Sequence, residues 1–270
     1  MGWARPRLDV GMGPRRRFVT LALLLTAVGA LAAVARAETI QSGDVRVSFD
    51  ADFSPTALPR ERPAPITVDF EGRISTTDGT HPPALQQMRI ELNSAGEIET
   101  RGLSRCPTSA LQSTTSDGAL ARCRPALVGK GTFVAQLPVE RQLLVGGRAL
   151  VFNGTVDGRP GMLIHIYVSD PVRLTLVIPI KITHQEGRFG TVLTTRVPKL
   201  AGGSASIVQL ELKIGRRFGV DGERRSYLSA ACAAPEGFPG AVFPFARSSF
   251  SFSDGRAMHT ALSRSCQVRK

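Results

Sequence analysis

Residues 151–168, VFNGTVDGRPGMLIHIYV, decide the fold. An apolar segment stands on either side of Asp157-Gly158, and the two segments are of similar length. Asp-Gly suits a tight turn because glycine accepts a positive φ and aspartate can bond its own backbone. The stretch therefore predicts a β-hairpin, and a hairpin of this kind indicates an antiparallel sheet around it.

Period-two alternation runs through most other apolar segments. In VRVSFDADF the apolar residues from Val45 to Phe53 share one face, and this is the pattern of half-buried strands in an antiparallel sheet. The inward sets of four further segments are Ile66, Val68 and Phe70; Met88, Ile90 and Leu92; Leu174, Leu176, Ile178, Ile180 and Ile182; and Val208, Leu210, Leu212 and Ile214. About eleven strands and one helical segment predict an all-β fold, an antiparallel two-sheet sandwich that forms a single domain over residues 38–270.

Turn signals divide the remaining chain. Four more Asp-Gly dipeptides begin at Asp78, Asp117, Asp221 and Asp254, and hairpins are predicted at residues 183–190 and 250–262. Residues 54–65, SPTALPRERPAP, form a proline-rich connection between the first two long strands. Pro179 cannot donate a ladder hydrogen bond, so its strand is expected to be bulged or at an edge there.

The N-terminus predicts export. Residues 15–17 are arginines, residues 18–34 are mostly apolar, and Ala35-Arg36-Ala37 places small residues at the two positions that matter for cleavage. These are the three parts of a secretory signal peptide, so residues 1–37 are predicted to be removed, with either Met1 or Met12 as the start. The apolar run is at the lower limit for a membrane span, and the cleavage-like site favours removal over a retained anchor. Arg-Arg-Arg-Phe-Val also resembles a twin-arginine signal, so both export routes stay open.

The charge balance points to anionic partners. The whole chain has a net charge of +12; residues 1–37 hold six arginines and one aspartate, so the rest keeps 28 basic and 21 acidic residues and a net charge of +7. An exported basic protein meets anionic envelope polymers and lipid head groups rather than nucleic acid, and we expect loose association with them. No other apolar segment predicts a bilayer span, so no transmembrane anchor is expected after removal of the signal.

Four cysteines in an exported chain predict two disulfides. Spacing alone does not choose among the three connectivities, and adjacent pairing of Cys106 with Cys123 and of Cys232 with Cys266 is the most economical. A continuous helix over residues 108–123 would run about 22 Å, whereas a disulfide needs Cα atoms within about 7 Å. The segment must therefore fold back, and we expect the turn at residues 114–118. It is predicted to be a stapled helical turn lying against the sheet.

Metal and redox uses of the cysteines find little support. The sequence has no Cys-x-x-Cys, and its histidines (His81, His165, His184 and His259) are scattered, so neither a zinc site nor a thioredoxin-like role is predicted. Asp50 and Asp52 resemble part of a calcium loop, but they alternate with an apolar strand face and are expected simply to point outward. No metal and no cofactor are predicted.

The stretch CPTSALQSTTSDGALARCRPALVGKGTF, residues 106–133, carries a resemblance to a family. Its Cys-Pro start, second cysteine and Val-Gly-x-Gly strand start resemble a pattern in exported proteins of high-GC bacteria. RISTTDGTHPPAL, AGGSASIVQLELKIGRRF and SYLSAACAAPEGFPGAVFPFA extend the similarity over the chain that follows the signal. The resemblance implies a secreted, disulfide-bearing β-sandwich and implies no activity or catalytic residue.

Catalytic motifs are absent from the sequence. No Gly-x-Ser-x-Gly elbow, His-Glu-x-x-His helix or phosphate-binding glycine loop occurs, so no catalytic residue is predicted. His165 lies mid-strand and is interpreted as a core or sheet-surface residue. The predicted function is a non-catalytic protein of the cell envelope or extracellular space, structural or weakly ligand-binding. The alternative is an exported hydrolase whose site is assembled from distant residues.

One basic cluster is a candidate anion site. The stretch GRRFGVDGERRSY places four arginines around an Asp-Gly turn, and a hairpin would gather them at one end, where they could meet anionic groups. The competing interpretation is a solvated turn that protects a sheet edge from pairing. The four candidate residues are Arg216, Arg217, Arg224 and Arg225.

Overall fold

The computed structural model describes residues 37–139, 143–170 and 173–269, and it confirms the all-β prediction. The strands are β1 (Glu38–Ser42), β2 (Val45–Ser54), β3 (Ala57–Leu58), β4 (Ala64–Pro65), β5 (Thr67–Thr76), β6 (Leu85–Leu92), β7 (Gly96–Ile98), β8 (Leu127–Leu137), β9 (Leu143–Val156), β10 (Arg159–Val168), β11 (Leu174–His184), β12 (Thr191–Arg196), β13 (Ser206–Ile214), β14 (Arg217–Val220), β15 (Glu223–Ser226), β16 (Leu228–Ala230), β17 (Gly240–Phe252) and β18 (Ala257–Val268). Two α-helices, α1 (Thr108–Leu111) and α2 (Ser116–Cys123), and two 3₁₀ turns (Arg124–Ala126 and Ala201–Gly203) complete the described chain. Residues 1–36 of the predicted signal peptide lie outside the described residues.

One large sheet dominates the fold. It has thirteen strands in the order β1-β2-β5-β13-β8-β9-β10-β11-β12-β6-β17-β18-β3, and every pairing is antiparallel except that of β18 with β3. β1 also lies against β18, so the sheet curls until its two ends approach each other. The sequence predicts two stacked sheets, whereas these strands are hydrogen bonded in one continuous curled sheet. Because the sheet curls, two parts of its apolar inner face lie opposite each other, as the inner faces of two stacked sheets would.

The β9–β10 hairpin is formed as predicted. Asp157 and Gly158 have φ values of 50° and 75°, which is the positive-φ turn that Asp-Gly favours. Residues 149–154 and 161–166 are buried on both faces, so the alternation between buried and exposed positions is lost here. The inward face belongs to the main core, and the outward face is covered by α1 and α2.

The covering segment is the predicted stapled helical turn. A disulfide joins Cys106 to Cys123, whose Cα atoms are 5.5 Å apart. The chain turns at residues 112–115, slightly earlier than expected, because Thr115 caps α2 by accepting a 3.1 Å hydrogen bond from the amide of Gly118. Asp117 and Gly118 are therefore helical and form no turn of their own.

A small sheet lies where β2 ends and β5 begins. It has the order β4-β16-β7, and the second disulfide joins Cys232, just after β16, to Cys266 in β18. The amide of Ile66 donates to the carbonyl of Leu228 at 3.0 Å, which ties this small sheet to the start of β5. Both disulfides thus have the predicted connectivity, and the second fixes the small sheet to the large one.

Residues Ala37–Lys270 form one compact unit. Its main core is built mostly from inward side chains of β8 to β11 and β13, together with buried residues of the small sheet, and a second cluster joins β2 and β5 to β6, β17 and β18. Pro179 lies on β11 beyond the residues that pair with β12, so its missing donor faces an unpaired edge, as expected. None of the helices in the described part of the chain is long and apolar enough to cross a membrane.

Candidate functional site

An apolar cavity lies inside the curl of the large sheet. Its volume is about 130 Å³, against the roughly 10–15 Å³ that a single water needs. Inward side chains from both arms of the sheet surround it, and they include Phe49, Phe53, Phe70, Met88, Ile164 and Leu210. Apolar walls of this kind favour an apolar guest over a polar one. The cavity is therefore the strongest candidate for a binding site.

A second, smaller apolar cavity adjoins the first. It measures about 50 Å³ and shares with the larger one the residues Phe49, Phe70, Met88, Ile164, Ile180 and Leu210. Phe49 packs edge-on against Phe70 at 5.5 Å and against Phe250 at 5.9 Å between ring centroids. The aromatic residues expected in the core are thus in the core, but they also form walls of unfilled space.

Small side chains at inward positions help to leave this space open. Ala51 stands between Phe49 and Phe53 on β2, Ala246 faces inward from β17, and Ala230 faces the cavity from the small sheet. A methyl group at such a position fills much less volume than the neighbouring phenylalanines. The alternation of the sequence predicts which side chains point inward, but it does not predict how far apart the two faces lie.

Thr195, in the wall of the smaller cavity, is a polar residue whose hydroxyl has no hydrogen-bond partner among the described residues. Thr195 is an inward residue of β12 and is 3% exposed, and its Oγ1 is buried without a hydrogen-bond partner among the described residues. It lines the smaller cavity, and Met88, directly opposite on β6, lines it as well. Sequence analysis missed Thr195, although a threonine after Leu193 and before Val197 in an inward apolar series is a detectable signal.

Asn93 is a polar residue in the wall of the larger cavity, and both polar atoms of its side-chain amide are hydrogen bonded. Its Nδ2 donates to the carbonyl of Pro244 at 2.8 Å, and its Oδ1 accepts from the amide of Ala95 at 2.9 Å. The side chain therefore holds the chain after β6 against β17. Both polar atoms thus have a partner within the protein.

His165 lies away from the cavity, on the outward face of β10 beneath the stapled segment. It is completely buried, and its Nε2 lies 3.1 Å from the carbonyl of Thr114, to which it donates. Burial lowers the pKa of His165, although the hydrogen bond to Thr114 opposes this effect. Within the part of the chain that the structure describes, the side chain has neither a serine nor an aspartate as a partner, which fits the interpretation of a core histidine.

His81 contacts a serine, but in a geometry that does not activate it. Nε2 of His81 lies 2.8 Å from the carbonyl of Ser204 and 3.2 Å from Oγ of Ser206. Because a carbonyl can only accept, Nε2 carries the proton and cannot act as a base toward Ser206. The Ser206 hydroxyl is buried and donates to the carbonyl of Pro82 at 2.6 Å. The contact ties the loop before β6 to the start of β13.

The two remaining histidines lie on the surface. His184 is exposed at the end of β11, with Nδ1 at 3.5 Å from Oγ1 of Thr191. His259 is exposed on β18 and lines a shallow outer groove beside Glu91 and Arg247. In that groove Glu91 is already paired with Arg247 and with Arg89.

The four candidate arginines do not form one cluster. Arg216 donates to the carbonyl of Leu127 at 2.7 Å, and Arg225 is paired with Glu223 at 3.2 Å. Arg217 and Arg224 share the opposite face of the β14–β15 hairpin and are exposed without an ion pair among the described residues. The structure therefore brings two of the four together and uses the other two within the fold.

Asp50 and Asp52 are both paired with Arg264. Nε of Arg264 lies 2.5 Å from Oδ1 of Asp52, and its Nη2 contacts Asp50. Burial raises the pKa of Asp50, and the positive charge of Arg264 opposes this rise. Within residues 37–139, 143–170 and 173–269 no group of three His, Cys, Asp or Glu side chains is arranged to hold a metal ion.

Comparisons with known proteins add no assignment to this geometry. Neither a family model, nor a curated protein, nor a solved structure matches the chain.

Proposed function

We propose that this chain is exported and acts as a non-catalytic binding protein that holds an apolar ligand inside its curled sheet. The observation that carries the proposal is the cavity of about 130 Å³ with its apolar walls. Cores are normally close-packed, so space of this size costs stability unless something fills it. A ligand that removes its own apolar surface from water would recover that cost.

Export is supported by the signal-like N-terminus and by the two disulfides, which persist in oxidising compartments. An exported binding protein of net charge +7 could also associate loosely with anionic envelope polymers or lipid head groups. Arg217 and Arg224 are the exposed pair that would serve such an association. The cavity gives the protein its specific ligand, and the basic surface only brings it close to anionic material.

Naphthalene is a suitable probe because it is apolar, uncharged and made of ten heavy atoms. We expect purified protein to bind it saturably, with one site per chain, in equilibrium dialysis. Leu193 lines the larger cavity from β12, so Leu193→Trp should fill the space and lower the affinity at least tenfold. Thr194→Trp, on the outward face of the same strand, should retain the affinity of the unmodified protein.

Circular dichroism melts would show that both variants are folded. The proposal fails if the unmodified protein binds no naphthalene, or if Leu193→Trp binds it as well as the Thr194→Trp control does. Unsaturable binding that scales with protein surface would equally contradict a site within the sheet.

A further inference from the structure

We infer that Thr195, in the wall of the smaller of the two adjoining cavities, is the polar anchor of the interior space that they form together, and that the natural ligand is an apolar molecule with one uncharged oxygen, a hydroxyl or a carbonyl. This inference rests on the proposed function, since it names the chemical class that the same interior space would take.

The isolation of the Thr195 hydroxyl is the first argument. The residue is 3% exposed, and its Oγ1 finds neither donor nor acceptor in the described chain. The residue opposite on β6 is Met88, and Ile180 of β11 lies in the same cavity wall. A buried hydroxyl without a partner is destabilising, because folding removes its hydrogen bonds to water and returns none.

The position of Thr195 within the cavity is the second argument. The inward residues before it and after it are apolar, namely Leu193 of β12 and Val197 just beyond the end of that strand, and both line the interior space. A valine would have the same shape as threonine and would complete this apolar series. The hydroxyl therefore adds nothing to the packing of the unliganded protein, whereas a ligand oxygen would give it a partner.

The surroundings also restrict the charge of that ligand group. A threonine hydroxyl can donate one hydrogen bond and accept others, so it suits a hydroxyl or a carbonyl equally. An ionised head group would need a charged partner to offset its loss of hydration. The inward neighbours of Thr195 are Met88, Ile180 and Leu193, which offer none. A fatty acid held by its carboxylate is thus a poor fit, and an alcohol, ketone or ester is a good one.

Competition against naphthalene tests the inference with a matched pair of flexible probes, 1-hexanol and hexane. Both are measured by equilibrium dialysis with the unmodified protein, with Thr195→Val, and with the outward control Thr194→Val. We expect Thr195→Val to lower the affinity for 1-hexanol about three- to tenfold, which is the effect of one lost neutral hydrogen bond. The affinity for hexane should stay the same or rise. Thr194→Val should change neither.

The possible outcomes test the role of Thr195 separately from the proposal that the cavity binds an apolar ligand. If naphthalene binds but Thr195→Val affects both competitors equally, or does not weaken the binding of 1-hexanol, Thr195 is not the anchor. The proposal of a binding site in the cavity would then still stand. Absence of naphthalene binding by the unmodified protein overturns both. Thermal melts control for folding, and Thr195→Val should melt at or above the temperature of the unmodified protein because it removes an unpartnered hydroxyl.

Discussion

Arg264 of β18 is paired with Asp50 of β2 at the place where the two ends of the curled sheet meet. β1 covers β2 only as far as Phe49, so the carbonyl of Ala51 lies on an open strand edge. Nε of Arg264 donates to that carbonyl at 2.9 Å. A side chain thus replaces, at this point, the backbone pairing that would otherwise close the sheet.

Loss of Arg264 should destabilise the closure. Arg264→Met removes the partner of a partly buried carboxylate and leaves an unpaired carbonyl, so we expect a loss of about 2 kcal/mol in the free energy of unfolding. Urea denaturation measures it. Arg73→Met is the matched control, because Arg73 is 53% exposed in its pair with Glu71, and the effect should stay within about 0.5 kcal/mol. Equal effects of the two substitutions would contradict a structural role for the Arg264 pair.

Burial of His165 should make stability depend on pH. Its pKa in the folded protein is below its ordinary value of 6.5, so the unfolded chain binds the proton more readily. The contribution of neutral His165 to the stability of the fold is therefore complete above pH 6.5, and it is lost as the pH falls below that value. His165→Gln, which can still donate to Thr114, should reduce the slope of stability against pH between about 6.5 and 5. His259→Gln, at an exposed position, should leave the slope unchanged, and an unchanged slope in both variants would contradict this account.

The first disulfide should hold the stapled segment against the sheet. It closes a loop with a sequence separation of 17, and the chain-entropy model gives a contribution of about 3 kcal/mol. Cys106→Ala/Cys123→Ala should lower the free energy of unfolding by roughly that amount. Hydrogen exchange should speed up in α2 while β17 and β18 keep their protection. Uniform loss of protection across the whole sheet would show that the segment is not a separate covering layer.

Arg217 and Arg224 should carry most of the electrostatic association of the β14–β15 hairpin. Arg217→Gln/Arg224→Gln is expected to weaken binding to vesicles rich in anionic lipid, and added salt should weaken binding of the unmodified protein in the same way. Arg196→Gln, which removes one exposed charge elsewhere, is the control. If vesicle binding is insensitive to salt, or if Arg196→Gln reduces it equally, the hairpin is not an anion-binding site.

Local chemistry explains what the sequence could predict. Asp157-Gly158 fixes a turn within four residues, and the alternation from Val45 to Phe53 identifies an inward face without any knowledge of its partner. The stapled segment followed from a conflict between the length of a helix and the reach of a disulfide. Each of these inferences depends on neighbouring residues or on one covalent distance, and each agrees with the structure.

The features that the sequence could not predict depend on contacts between residues far apart in the chain. Arg264 occupies an inward position of β18, and its pairing with Asp50 joins residues 214 positions apart, which no local pattern indicates. The cavity depends on how far the curl separates Phe49 and Phe70 from Ile164 and Leu210. Thr195 shares an inward face with Leu193, but only the structure shows that it lines a cavity and that its hydroxyl has no hydrogen-bond partner among the described residues.

The most direct test of the central claim is to locate a bound apolar probe by nuclear magnetic resonance. Intermolecular nuclear Overhauser effects would be recorded between naphthalene and the methyl groups of the protein. The account predicts contacts to inward methyls such as those of Ile164, Ile180 and Leu210, and their loss in Leu193→Trp. Contacts confined to exposed methyls such as those of Leu144 and Val242, with none to the interior set, would contradict it.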